Sequence, residues 1–365
     1  MKKILISTGG SGGHVIPALN LYDHLKNKFE VKLYTDVRGA KYIPKNINKI
    51  IFDVKHVPEK FYLFPVKLIF MFIAFVKSLI HLSFNKFDII ISIGGYMSFP
   101  IVLGAKIFNM KIILIEPNSI IGRSNKFLLK FSRNILIYDK NVSNNTDKNM
   151  NSRKKIIPAH KNIIIDPLLN KCFYLIKNSD ELKNENLKIL IIGGSQASLF
   201  FSKKLKNEII DISSKYNIEV TQQLSQGYDI ENYRKEYDKN NIKNNLFHFE
   251  NNFLCKKNKF DIAITRAGAS TLAELAYLHI PFVAIPFPYA TDNHQFWNAK
   301  RYQDLNCCWI MDEKKFISGD IYKLIDRIMI NKDEYIIKKN NLKKLNENKT
   351  WENINNKIID YFNDN

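Results

Sequence analysis

Short apolar runs alternate with longer amphipathic stretches along most of this chain. Lys3–Ser7, Val31–Thr35, Ile50–Val54, Asp88–Ile93 and Lys111–Ile115 are rich in Ile, Leu and Val and read as buried strands, with helical periodicity between them. The second half repeats the scheme. Strands are expected at Lys188–Ile192, Ile218–Thr221, Leu246–Phe249, Asp261–Thr265 and Phe282–Ile285, with helices over Ser270–Leu278 and His294–Leu305. Strands that alternate with helices pack as parallel sheets covered on both faces, so the pattern predicts an α/β protein with doubly wound sheets.

Two segments look alike. Lys3-Ile-Leu-Ile-Ser-Thr-Gly-Gly-Ser opens the first half and Lys188-Ile-Leu-Ile-Ile-Gly-Gly-Ser opens the second. Each is a buried strand that runs into a glycine turn and then a helix, the phosphate-facing start of a Rossmann-like unit. The 365 residues suit two such domains, expected over 1–165 and 166–365, facing each other across a cleft. The last helical pattern, Trp351–Phe362, is long enough to cross back to the first domain.

Charge separates the halves. Residues 1–165 carry 26 basic and 9 acidic side chains, a net of +17, whereas residues 166–365 carry 29 and 26, a net of +3. A positive first half attracts polyanions, either nucleic acid or an anionic leaflet. The segment Phe61–Phe84 favours the leaflet. Its longest wholly apolar run, Leu68–Val76, covers every helical face, yet Pro65, Lys67, Lys77 and His81 interrupt the stretch too often for a spanning helix. A surface that dips into the membrane interface fits, with Phe64, Leu68, Phe72 and Phe75 as its contacts; a core helix would explain part of the pattern. Four cysteines, Cys172, Cys255, Cys307 and Cys308, are too few and too irregular for a disulfide framework and read as reduced thiols. The apolar run after Met1 is too short for a signal-peptide core, so export is not expected.

The candidate chemistry lies in the turns. Thr8-Gly9-Gly10-Ser11-Gly12-Gly13-His14 lets backbone amides approach an anion at a helix start placed near Val15–Pro17, and His14 is suited to accept a proton from a hydroxyl. Gly94-Gly95-Tyr96-Met97-Ser98 follows another strand and offers a second anion nest, with Ser98 supplying a hydroxyl. In the second half, Gly193-Gly194-Ser195-Gln196 resembles a diphosphate cradle. Arg266-Ala-Gly-Ala-Ser-Thr-Leu-Ala-Glu274 forms a turn and a helix whose carboxylate can take a ribose diol. Gln295 and Asn298 lie three apart on one helical face. No Asp-x-Asp or His-Glu-x-x-His pattern occurs, so no metal site is expected.

These motifs, in this order and spacing, resemble the MurG-type UDP-N-acetylglucosamine:lipid I N-acetylglucosaminyltransferases, and the resemblance runs essentially end to end. It implies a GT-B fold and an inverting transfer of GlcNAc from UDP-GlcNAc to the 4-hydroxyl of MurNAc in undecaprenyl-diphospho-MurNAc-pentapeptide. The product is lipid II for peptidoglycan synthesis. The resemblance places Ser195 and Gln196 by the donor diphosphate, and Ala269, Ser270, Thr271, Leu272, Ala273 and Glu274 along the nucleotide. It puts Gln295 near the sugar, Glu250 at the uracil, and Ser11, Gly12, Gly13 and Asn118 around the sugar region. Gly12, Gly13, His14, Gly95, Tyr96 and Ser98 fall to the acceptor diphosphate, and His14 to general-base or transition-state support. It implies no cofactor and no nucleic acid, and a peripheral site on the cytoplasmic face of the bacterial inner membrane. The chain departs from the family pattern at Ile115 for a histidine, Leu169 for an arginine and Ala197 for a glycine.

Three rivals share features with this reading. A GT-B glycosyltransferase acting on diacylglycerol has a similar first loop. A UDP-sugar epimerase of the same build needs no lipid surface, which leaves Phe61–Phe84 without a purpose. A nucleic-acid-binding protein fits the charge, but the chain lacks a recognisable module and basic residues interleaved with aromatics along a groove.

Overall fold

The structure is a computed structural model that describes residues 1–52, 64–140, 142, 161–176, 186–194, 198–250, 252–256 and 259–364. Chain contacts divide it into two compact units, Met1–Lys171 with Thr350–Asn365, and Cys172–Lys349. The boundary expected after Ile165 therefore moves to Lys171. The reason is packing: Leu168 and Leu169 are buried, and Asn20 Nδ2 donates to the Leu168 carbonyl at 2.7 Å.

Unit 1 holds seven strands among the described residues: β1 (Lys3–Ser7), β2 (Glu30–Thr35), β3 (Lys49–Ile51), β4 (Ile89–Ser92), β5 (Lys111–Glu116), β6 (Asn134–Ile137) and β7 (Lys161–Ile164). They pair in parallel in the order β3-β2-β1-β4-β5-β6-β7. Its helices are α1 (Gly12–Leu25), α2 (Val37–Ala40), α3 (Phe64–Phe84), α4 (Ser98–Ile107) and α5 (Arg123–Leu128). Leu5, Ile90, Leu114 and Ile135 pack with Val102 and Leu128 in one core cluster. Burying runs such as Ile89-Ile-Ile on both faces is what a parallel sheet requires.

Unit 2 repeats the arrangement with β8 (Leu187–Ile192), β9 (Ile218–Gln223), β10 (Lys243–Phe247), β11 (Ile262–Thr265), β12 (Phe282–Ala284) and β13 (Cys308–Ile310), in the parallel order β10-β9-β8-β11-β12-β13. Its helices are α6 (Leu199–Ser213), α7 (Ile230–Lys239), α8 (Phe253–Lys256), α9 (Ala269–Tyr277), α10 (His294–Asp304), α11 (Asp320–Ile330) and α12 (Asp333–Asn346). In both sheets the order reverses beside the first strand, between β1 and β4 and between β8 and β11. Open α/β sheets bind ligands at the carboxyl ends of strands at such a switch point.

The last helix, α13 (Trp351–Asp364), belongs to unit 1 and packs on α1. Trp351 stacks on His24 with centroids 4.1 Å apart, and the His24 Nδ1 lies 3.1 Å from Asn355 Oδ1. Lys2 Nζ donates to the Phe362 carbonyl at 3.1 Å, near the helix's C-terminal end.

Two expectations are corrected here. Cys172 and Cys255 are joined in a disulfide, their Cα atoms 5.8 Å apart, and only Cys307 and Cys308 are free, both buried. A sequence separation of 83 hides the pair from a reading of spacing. Helix α1 also begins earlier than expected, at Gly12, so Pro17 lies inside it and not in its first turn. The Val15 N–H already reaches the Ser11 carbonyl, at 3.3 Å, so the glycines themselves form the opening turn.

Candidate active site

In unit 1 the turns after β1 and β4 meet. Ile93 N–H donates to the Ser7 carbonyl at 3.1 Å, which sets the two strand ends side by side. A β-carbon placed on Gly94 would stand 3.4 Å from Asn125 Nδ2 and 3.5 Å from His14 Cδ2. One placed on Gly95 would stand 3.4 Å from the Gly9 carbonyl oxygen. His14, in the first turn of α1, thus packs on the second glycine loop. Ser11 caps α1 only through its backbone, with no side-chain bond, so the first amides of the helix face the turn uncapped.

Ser98 is fully buried and its hydroxyl donates to the Gly94 carbonyl at 2.8 Å, so it shapes the loop rather than presenting a surface hydroxyl. The Tyr96 hydroxyl donates to Asp36 Oδ2 at 3.0 Å, and burial together with the adjoining Asp36 charge pushes this phenol up to about 12. Asp36 itself was not singled out by the sequence. Burial opposes its charge, but bonds from Gly10, Gly39, Tyr96 and Arg38 outweigh burial and hold its carboxyl below the usual range.

Behind these turns lies Glu116, nearly inaccessible at the end of β5. Its Oε1 accepts from Asn118 N at 3.1 Å and Asn118 Nδ2 at 2.9 Å; its Oε2 accepts from Gly122 N at 2.8 Å and Asn125 Nδ2 at 3.0 Å. Burial pushes its carboxyl above the ordinary value despite these donors. A side chain at Gly94 would meet both Asn125 and His14, so the Glu116 cluster with Asn118 and Asn125 lies beside the same glycine as His14. Ile115 and Leu169, the apolar departures, are both buried in the unit's interior.

Ser195, Gln196 and Ala197 lie outside the described residues. The turn before them is fixed by Gln223, whose Oε1 accepts from Gly193 N and whose Nε2 donates to the Gly194 carbonyl, both at 3.0 Å. The next turn leads into α9, where Ala269, Ser270 and Thr271 open a helix capped at Gly268 without a side-chain bond. Leu272 and Ala273 are buried against the unit. Glu274 has no hydrogen-bond or ion-pair partner among the described residues, and burial pushes its carboxyl up to about 8.

Gln295 and Asn298 both bond the backbone of Ala267. Gln295 Oε1 accepts from Ala267 N at 3.2 Å and from Phe287 N at 3.0 Å, while Asn298 Nδ2 donates to the Ala267 carbonyl at 3.0 Å. That leaves Gln295 Nε2 without a partner among the described residues. Arg266, the cation of this turn, is committed inward: it donates to the Ile285 carbonyl at 3.0 Å, pairs with Glu313 and stacks over Phe201. Glu250 is exposed and paired with Lys256 at 2.6 Å. Unit 2 therefore offers helix-start amides, one free carboxylate and one free amide at the carboxyl ends of β11 and β12. This set suits a nucleotide sugar.

The remaining candidates lie on α3. Ala74, Ser78 and Leu82 face inward, and a β-carbon on Gly104 of α4 would meet Leu82 Cδ1 at 3.0 Å. The opposite stripe of Ile69, Phe72, Ile73, Val76, Ile80 and Phe84 is exposed, Phe72 to 66%. Leu68 is exposed and Phe75 partly buried, while the Phe64 side chain lies outside the described ones. No helix of the described residues is long and apolar enough to cross a membrane.

Comparison with known proteins adds to this geometry. The glycosyltransferase family 28 N-terminal domain matches residues 4–137 and the family 28 C-terminal domain matches residues 188–354. A UDP-N-acetylglucosamine--N-acetylmuramyl-(pentapeptide) pyrophosphoryl-undecaprenol N-acetylglucosamine transferase of Pelagibacter ubique is 42% identical, covering 100% of this chain and 99% of that one. A Rickettsia bellii protein of the same name is 30% identical over 91% of this chain and 92% of its own. Among solved structures, the MurG of Acinetobacter baumannii superposes with a TM-score of 0.75 at 20% identity, covering both chains fully, and supports the GT-B fold.

Proposed function

Since the chain belongs to the MurG-type N-acetylglucosaminyltransferases of glycosyltransferase family 28, we propose that it transfers GlcNAc from UDP-GlcNAc to the 4-hydroxyl of MurNAc in lipid I, giving lipid II. The observation that carries this reading is full-length similarity to relatives of that name, with glycine turns at the switch points of both sheets.

The chemistry is a single inverting displacement. His14 takes the proton from the acceptor hydroxyl as that oxygen attacks the anomeric carbon, and UDP departs. Negative charge grows on the departing diphosphate, where the uncapped start of α9 supplies amide dipoles. Glu274 holds the ribose diol and Gln295 Nε2 donates to the sugar; both groups lack protein partners among the described residues, which supports these roles. Glu116, already filled with four donors, positions Asn118 and Asn125 rather than moving a proton.

The exposed apolar stripe of α3 and the net +17 of residues 1–165 support peripheral binding to an anionic leaflet at the cytoplasmic face of the inner membrane. A His14→Ala enzyme tests the mechanism. Its kcat with UDP-GlcNAc and lipid I is expected to fall by about 10² to 10⁴, the usual worth of a general base, and a loss below about tenfold removes that role.

A further inference from the structure

The loop after β2 holds a cation that the sequence did not single out. Arg38 lies in α2, two residues past Asp36, and its side chain is 43% exposed. Its Nε donates to Asp36 Oδ2 at 3.2 Å, and its Cζ stands 5.3 Å from the centre of the Tyr96 ring. Asp36 Oδ1 meanwhile accepts from Gly10 N at 2.9 Å and Gly39 N at 2.8 Å. The carboxylate ties three segments together, and Arg38 reaches it through Nε, at one edge of the guanidinium. The other edge extends toward the first glycine turn: Nη2 stands 3.7 Å from where a side chain on Gly10 would begin.

This arrangement exceeds what a brace needs. Gly10, Gly39 and Tyr96 already anchor Asp36 from three directions. A guanidinium has five N–H donors in a rigid fork that matches phosphate oxygens two at a time. One gripped at Nε and lying over a ring keeps the end bearing its terminal amino groups fixed, so a ligand costs it little further freedom. It stands beside the turn that follows β1, at the sheet's switch point, where backbone amides are also on offer.

We propose that Arg38 is the cation that grips the diphosphate of the lipid-linked acceptor, with Asp36 and Tyr96 as its positioning residues. The inference rests on the reading of the function given above and deepens it. It assigns Tyr96 an indirect role, carried through the guanidinium and the carboxylate, and it predicts that lysine is a poor substitute because an ammonium lacks both the fork and the flat face.

The test uses the full chain with lipid I and UDP-GlcNAc, comparing the parent with Arg38→Gln and Arg38→Lys. Loss of a charge-assisted contact is expected to raise the acceptor KM of R38Q about ten- to hundredfold, with the UDP-GlcNAc KM and the unfolding temperature unchanged. Farnesyl diphosphate, a soluble probe of the same chemistry, should compete with lipid I and lose a similar factor in R38Q. An acceptor KM that rises by less than about fivefold overturns the proposal, as does a loss shared equally by both substrates with a lowered unfolding temperature. Should R38Q fail to fold, R38K decides: it keeps the charge, and an acceptor KM equal to the parent's rejects the fork. If the parent itself makes no lipid II, the functional reading fails first; if only the variants behave like an active parent, Arg38 alone is wrong.

Discussion

Gly94 holds a φ of +93° directly against the ring of His14, so the residue proposed as base is seated on a backbone that only glycine adopts easily. The two glycine loops of unit 1 are therefore one construction. A change in the second loop is felt by the group proposed as base in the first.

Gly94→Ala is expected to lose about 1–3 kcal/mol of stability from strain at a left-handed position. Displacing His14 should cost about 10²-fold in kcat, because such reactions tolerate little misplacement. Gly227→Ala, whose added carbon meets open space at ordinary φ, should change neither. Urea unfolding with steady-state kinetics checks both; equal effects at the two sites would remove the link between loop strain and catalysis.

Glu274 should make nucleotide binding depend on pH. Burial raises its carboxyl to about 8, above its ordinary 4.5. A ribose diol that bonds the ionised form lowers that value, so binding releases a proton and UDP affinity rises with pH until about 8. In the free protein the sign is opposite: the raised value favours folding at low pH, and that contribution is lost as pH climbs through 8. Glu274→Gln should bind UDP more weakly with a flat pH profile, and should unfold less readily than the parent above pH 8. Calorimetric titration from pH 6 to 9 measures this, and parallel profiles for both proteins would exclude Glu274 from the site.

His24 should govern the docking of α13. Burial depresses its pKa to about 4, against a smaller upward pull from Asn355. The unfolded chain therefore takes up a proton first, and stability falls as pH drops from about 6.5 through 4, by up to roughly 3 kcal/mol. Trp351, stacked on the ring, reports the change. His24→Gln should lose this acid-sensitive phase of Trp351 fluorescence; if the phase persists, the switch lies elsewhere.

Much of the fold was legible because buried parallel strands announce themselves: Lys3–Ser7 is the span of β1 as read, and Lys188–Ile192 differs from β8 by one residue. The failures have physical causes. Strand β10 starts at Lys243-Asn244-Asn245, three polar residues, because it is an edge strand with little of its length buried. Strands β6, β7 and β13 have four, four and three residues, and each carries a polar residue or a cysteine at its start rather than a longer apolar run. The glycine turns and Glu274 stood out through residue type. The Asp36–Tyr96 bond did not, because it spans 60 residues and exists only because β1 lies between β2 and β4. Thr35-Asp36-Val37-Arg38-Gly39, a charged pair ending in glycine directly after a strand, was the signal available.

The stripe on α3 should hold the protein on lipid. Phe72→Asp replaces its most exposed internal aromatic with a charge, and should weaken flotation with anionic vesicles by at least about tenfold, the worth of one buried phenylalanine. UDP binding should be unchanged. Flotation equal to the parent's would move the membrane contact off this face.

The most direct measurement is incubation of the purified protein with labelled UDP-GlcNAc and lipid I in anionic vesicles. Label is expected in lipid II, joined by a β-1,4 bond, with one UDP released per GlcNAc transferred. Label that stays in the donor, passes only to water or appears on diacylglycerol would contradict the proposed transfer.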